Sequence, residues 1–345
     1  MSIRPKDTDI RTITMAHSSR FSRRTFMKVS ALSALTAATL PLPALASSWP
    51  GKPVRMIVAF PVGGPTDTIA RLIAHQLSER LGQTIIVDNR PGASGSVGTS
   101  QFIRSRADGY TISMFGMPAL IAPIVHRNNL YDVRKDFTCV ATVYDLPYVI
   151  VVNPKLLPDV NDLQQLIAKT KTEEINYSTP GAGSIAHLAM EQLKGLGGFE
   201  MLHIAYNGSA PAITDLLGGH ISVMMADMIA AMPHIQSGSL KAIALGSDTG
   251  KAFLPEVKTI AEQGFAGFDA SSWSGIVVPN STPQEVSDRL NKELSELLAD
   301  PQLQKQMMQV GALATYEPAD KMKARLNSEY DRWNKVASEV DLGNS

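Results

Sequence analysis

The chain has 345 residues, 44% of them hydrophobic and 19% charged, which is the profile of a globular protein long enough for two domains. Its 32 Lys/Arg and 32 Asp/Glu balance only because residues 1–46 are basic; without them 25 basic face 30 acidic residues, which argues against nucleic acid or an anionic membrane surface as a partner. Cys139 is the sole cysteine, so an intramolecular disulfide and a thiolate metal cluster are excluded.

Ser22-Arg23-Arg24-Thr25-Phe26-Met27-Lys28 reads as a twin-arginine export signal (Tat). The apolar stretch after it is about 14 residues, short of the ~20 that a bilayer span needs, and Ala44-Leu45-Ala46 is a small-residue cleavage site. The expectation is a signal peptide over 1–46, cleavage near Ala46 and release into the periplasm. No Cys follows the apolar stretch to carry a lipid, and nothing after Leu45 resembles a transmembrane helix.

Residues 54–60 form an apolar run of strand length that stops at Pro61. Gly63, Gly64 and Pro65 make a tight turn, and Ile69, Leu72, Ile73 and Leu77 then recur at helical spacing up to Leu81-Gly82. A strand, glycine turn and helix in succession aim free N–H groups and the positive end of a helix dipole into a crevice, a seat for a carboxylate or phosphate. A strand at 84–88, a helix at 97–106 and a strand at 110–115 continue the alternation, which favours a parallel sheet covered on both faces. Residues 148–153 read as another strand. A second alternation follows: helix 160–169, strand 175–179, a Gly-rich turn at 180–183, helix 184–193, strand 201–206, helix 211–217, strand 221–226, helix 230–236 and strand 240–245. After a strand at 273–278 the pattern is purely helical, at 283–298, 301–310 and 319–340.

The fold class is therefore α/β in two lobes, lobe A over 48–152 plus 274–345 and lobe B over 153–273, joined by strand-like crossings near Asn153 and Ser272. Ligands of open α/β sheets sit beyond the carboxyl ends of strands. Both glycine turns follow strands, so they are expected to clamp a small anion across a cleft that closes by hinge motion. Gly181, Gly183 and Ala186 also fit a dinucleotide fingerprint, but the acidic residue at the required distance, Glu200, precedes its strand instead of ending it. His75, His126, His203, His220 and His234 lack metal-ligand spacing, and there is no G-x-S-x-G elbow. No metal, cofactor or catalytic residue is expected, and the chain does not read as an enzyme.

Several stretches together resemble the Bug-type solute-binding receptors of tripartite tricarboxylate transporters. They include Pro61-Val62-Gly63-Gly64-Pro65-Thr66-Asp67 with Ala70-Arg71, Asn89-Arg90-Pro91-Gly92-Ala93, Asp108-Gly109-Tyr110-Thr111, Ser184 with His187-Leu188, Gly208-Ser209-Ala210-Pro211-Ala212, Thr214-Asp215-Leu216-Leu217-Gly218-Gly219, Asp227, Pro233-His234-Ile235 and Ser272-Trp273. In order they span roughly 49–340. The resemblance implies a periplasmic, type II-like binding protein that captures a small carboxylated solute, without cofactor, for a membrane permease, and a monomer. It carries over Gly63, Gly64, Thr66 and Asp67 from the first turn, Thr179, Gly181, Gly183, Ser184 and His187 from the second, and Asp227 as ligand-binding residues. Thr66 and Asp67 fit equally as helix caps, His187 as a core-satisfied histidine, and Asp227 as the cap of the helix near Ile229. Phe115-Gly116-Met117-Pro118-Ala119-Leu120 stands where the family is often polar, which weighs against a tricarboxylate such as citrate and towards a monocarboxylate. An exported cofactor-binding enzyme, or a ligand-sensing partner of a membrane signalling protein, is the alternative.

Overall fold

The apolar runs place the strands. Val149, Ile150, Val151 and Val152 are all fully buried. A continuous run of this kind belongs to a sheet covered on both faces, where each side chain contributes about 1.5–3 kcal/mol. The computed structural model describes residues 49–126 and 130–340. The export signal and its cleavage site lie outside the described residues.

Three parallel strands, β1 (Val54–Val58), β2 (Ile85–Asn89) and β3 (Thr111–Gly116), form the first lobe with β9 (Ser271–Pro279) and β10 (Leu313–Pro318). Three more, β5 (Asn176–Thr179), β6 (Leu202–Ala205) and β7 (Val223–Asp227), form the second lobe with β8 (Lys241–Leu245). One long strand, β4 (Phe137–Val152), belongs to both. Its first part lies between β9 and β10, its second between β7 and β8, all antiparallel. The exchange of partners falls between Pro147, opposite Ser271, and Tyr148, opposite Asp227. Proline has no N–H to give a ladder, so it suits a point where the ladder changes hands. The two-lobed α/β class holds, and the crossing lies inside β4 instead of at its end.

The strands of each lobe feed helices. In order these are α1 (Pro65–Leu81), α2 (Ser96–Ile103), α3 (Met117–Val125), α4 (Leu163–Thr170), α5 (Ile185–Gly197), α6 (Ser209–Gly218), α7 (Met228–Gln236), α8 (Gln284–Leu298), α9 (Pro301–Gln309) and α10 (Ala319–Glu339). Ile69, Ile73 and Leu77 bury one stripe of α1, and left-handed Gly82 ends it. Three elements differ from the sequence reading. Residues 117–125 are a helix that the sequence reading did not assign, β4 begins at Phe137 where a strand was expected only from 148, and the tail is not purely helical, because β10 pairs with β4. The tail helices do pack on the first lobe: Arg325 of α10 forms a 2.5 Å ion pair with Asp145 of β4.

Candidate functional site

β3 runs parallel to β4 and β7 antiparallel to it, so their carboxyl ends face one another. Gly116 at the end of β3 sits opposite Ser274 of β9, which sits opposite Tyr144 of β4. Asp227 at the end of β7 sits opposite Tyr148. Four strand residues, about 13 Å, separate the two levels. β1 ends beside β3, and β5 and β6 beside β7. The amino termini of α1, α3, α5, α6 and α7 all follow these strand ends, two on the β3 side and three on the β7 side.

The first turn is built around Asp67. Gly63 adopts a left-handed φ of 80°, and Gly64 caps α1 with Pro65 in its first turn. The Gly64 N–H donates to the Pro61 carbonyl at 3.3 Å. Asp67 is 2% exposed, and its Oδ2 accepts the Gly63 N–H at 2.9 Å and Arg71 Nε at 3.0 Å. Its Oδ1 accepts Asn89 Nδ2 at 2.9 Å, and the same amide reaches the Phe60 carbonyl at 3.1 Å. Burial alone would raise the Asp67 pKa, but Arg71, the Gly63 N–H and Asn89 together hold it below the ordinary carboxylate value. Asp67 is thus spent on shaping the turn.

The second turn repeats the device. Gly183 has φ 69°, and its N–H donates to His187 Nδ1 at 3.0 Å, again four residues on. Ser184 caps α5, its Oγ accepting the His187 N–H at 3.2 Å. The Thr179 hydroxyl lies 3.1 Å from the Gly181 carbonyl and 2.7 Å from His203 Nε2. The two imidazoles stack, with ring centroids 3.8 Å apart and 15° between planes. Burial, then the nearby Lys194 charge, brings His187 down to about 4; burial, then His187, does the same for His203. Both rings are neutral at pH 7, and because His187 Nδ1 accepts, its proton sits on Nε2. His187 braces the back of the turn. The turn also meets the first lobe: a Cβ on Gly183 would lie 2.3 Å from Val125 Cγ1 of α3.

The amides of Gly63 and Gly183 are therefore taken, although the sequence reading lent them to a guest. The N–H groups left without intrahelical partners are those one or two places into each helix: Thr66 and Asp67, Met117, Ile185 and Ala186, Ser209 and Ala210, Met228 and Ile229.

Between the two sets stand side chains that the sequence reading left out. Ser274 Oγ donates to the Tyr144 hydroxyl at 3.0 Å, and the Thr66 side chain bears on the same oxygen. Tyr148 is 6% exposed, and among the described residues its hydroxyl has no hydrogen-bond partner. Burial, then the Asp227 charge, raises its pKa. Asp227 caps α7, Oδ1 accepting the Ala230 N–H at 2.9 Å and Oδ2 the Ser209 hydroxyl at 2.6 Å. Burial raises its pKa, so Asp227 and Asp67 are driven in opposite directions. The Gly208 N–H donates to the Pro180 carbonyl at 2.8 Å, which ties α6 to the second turn. Thr66, Asp227 and, through α6, the second turn are brought together around Tyr144 and Tyr148. Asp67, Gly63, Gly183 and His187 serve as the frame. Only the spacing of 144 and 148, on one face of a strand by alternation, could have singled out the tyrosines. Among the described residues no group of His, Cys, Asp or Glu is placed to hold a metal ion.

Comparison with known proteins agrees with this architecture. The family model described as "Tripartite tricarboxylate transporter family receptor" matches residues 69–342. Protein BugT of Bordetella pertussis is 34% identical over 308 residues, covering 89% of this chain and 94% of BugT. The structure of the periplasmic binding protein BugD superposes with a TM-score of 0.76 at 32% identity, covering 84% of this chain and 98% of BugD. An R. palustris protein solved with adipate gives 0.77 at 31% identity, with 84% and 97% covered. The matched segment contains α1 from residue 69 onward, all of α5, the two-part strand β4 and the capping Asp227, and the chain belongs to the tripartite tricarboxylate transporter receptor family.

Proposed function

We propose that this protein captures a small organic carboxylate in the periplasm, in the gap between its lobes, and presents it to the membrane component of a tripartite transporter. The observation that carries the reading is the meeting of five helix amino termini from two lobes across Tyr144 and Tyr148. Each terminus favours an anion by about 0.3–1 kcal/mol, more where water is excluded. The cations near the gap are engaged: Arg71 with Asp67, Arg325 with Asp145 and Glu317. A carboxylate is held here by oriented amides and hydroxyls.

The ligand set of this proposal is the free amides of Thr66 and Asp67, of Ile185 and Ala186 and of Ser209 and Ala210, with the Tyr148 hydroxyl; Gly64 and Ser184, whose N–H groups are bound to the Pro61 and Gly181 carbonyls, hold the two turns in shape. Asp227 sets the polarity beside them. Lobe A spans about 49–147 plus 271–340 and lobe B about 148–270, with Pro147 inside β4 and Ser271 as the points that bend. Domain closure about them excludes water and strengthens each contact. The protein acts without cofactor or chemistry, as an exported monomer that leaves its leader near Ala46. The adipate seen in a relative supports a linear acid. Met117, Ala119 and Leu120 at the start of α3 are buried and apolar, which suits a hydrocarbon body and weighs against citrate.

Calorimetric titration with monocarboxylates, dicarboxylates and citrate tests this. Saturable one-to-one binding of a mono- or dicarboxylate, tighter than citrate, is expected. No heat with any organic acid overturns the proposal.

A further inference from the structure

A groove of about 790 Å³ opens behind the second turn, between α5 and β6. The His187–His203 stack is its inner wall, and Glu339 and Val340 at the end of α10 close its far side. It thus combines α5 and β6 with a helix tied to the first part of β4 through Arg325 and Asp145. Two strongly exposed large apolar side chains stand on its rim, Leu196 at 61% and Leu202 at 67%.

β6 ends the sheet, and among the described residues its one neighbour is β5. The N–H groups of Leu202 and Tyr206 donate to β5, so alternation turns those of His203 and Ala205 outward. Natural proteins blunt such edges with charge or proline. The opposite edge, β2, does so: Asp88 pairs with Arg55 and Arg90. β6 instead presents leucine. Lys194 pairs with Glu191 at 2.9 Å and reaches Glu200 at 3.5 Å, and Lys335 outside the groove approaches Glu339 at 3.9 Å; the lining itself sets three carboxylates, Glu191, Glu200 and Glu339, against the one ammonium of Lys194, so the rim is net acidic.

We propose that this groove docks an extended segment of the transporter's membrane component, apolar and basic, which adds to β6 as a strand. Its backbone pairs with His203 and Ala205, an apolar side chain packs between Leu196 and Leu202, and Lys or Arg faces Glu200 and Glu339. The inference rests on the transport reading. Because α10 and α5 are anchored on different sides of the hinge, the groove changes width as the lobes close, and a partner seated in it distinguishes the liganded form.

The test measures binding of the full protein, isolated from the periplasm, to its integral-membrane subunits purified together in nanodiscs. Leu202→Lys and Glu200→Lys are each expected to weaken binding at least tenfold. Ile86→Lys, at a 53% exposed apolar position on the opposite edge, is expected to leave binding unchanged. Carboxylate titration of all three variants is expected to match the parent protein. Parent-like subunit binding by Leu202→Lys and Glu200→Lys, with carboxylate binding intact, overturns the groove alone. Failure of the parent protein to bind both carboxylates and subunits overturns the transport reading with it.

Discussion

Asp67 and Asp227 are both buried carboxylates, yet one is held ionised by a guanidinium and two N–H groups and the other is driven towards its neutral form by burial. The first shapes a turn; the second caps α7 and accepts from Ser209. Tyr148, opposite Asp227, makes no side-chain hydrogen bond among the described residues. Tyr148→Phe is therefore expected to weaken carboxylate binding about tenfold, the worth of one hydrogen bond, with an unchanged thermal midpoint. Equal affinity in calorimetry would remove Tyr148 from the site. The stacked histidines make a pH prediction. Their folded pKa values, about 4, lie below the 6.5 of an unfolded imidazole. Their contribution is complete above pH 6.5 and is lost as pH falls towards 4, because the unfolded chain takes up protons that the folded one refuses. The slope is at most about 1.4 kcal/mol per pH unit for each ring. Asp227, with its raised pKa, acts in the opposite sense, so the comparison must be made against a variant. Urea midpoints at pH 7 and pH 5 should converge for His187→Gln relative to the parent protein. An unaltered pH dependence in that variant would refute the assignment.

At the level of elements, the two turns share one device, a left-handed glycine whose N–H is taken by the side chain four residues later. That pairing is invisible in the sequence, because Asp67 and His187 look like unrelated residue types. The β-α alternation itself was legible, since apolar runs, glycine turns and helical spacing are local signals. What was lost depends on tertiary context. Residues 137–147 mix Thr, Tyr, Asp and Pro and acquire strand form from β9 and β10 on either side. The helix at 117–125 was not assigned from the sequence; Pro118 stands in its first turn, where a proline lacks only an N–H that would be unpaired anyway. β10 is short and lies between helices, and its pairing with β4 is long-range. Gly183 tests the element scale directly. Gly183→Ala adds a left-handed strain of about 1–2 kcal/mol and a clash with Val125 Cγ1. Val125→Ala in the same chain is expected to restore the steric part only, a non-additive result in denaturant titration. Strict additivity would mean that the turn and α3 do not meet.

For the whole molecule, both halves of the sheet share β4. Parallel strands of both lobes end near its change of partners, and each delivers a helix whose first amides have no intrahelical partner. In the proposed site this arrangement lets oriented amides stand in for a free guanidinium: the dipoles are fixed on folding and cost little further ordering when a guest binds. Hydrogen exchange by mass spectrometry, with and without the acid that calorimetry shows to bind, is the most direct test. The account predicts slowed exchange on binding at 66–67 in one lobe together with 185–186 and 209–210 in the other. Slowing confined to one lobe, or absent from all three segments while the acid is bound, would contradict it.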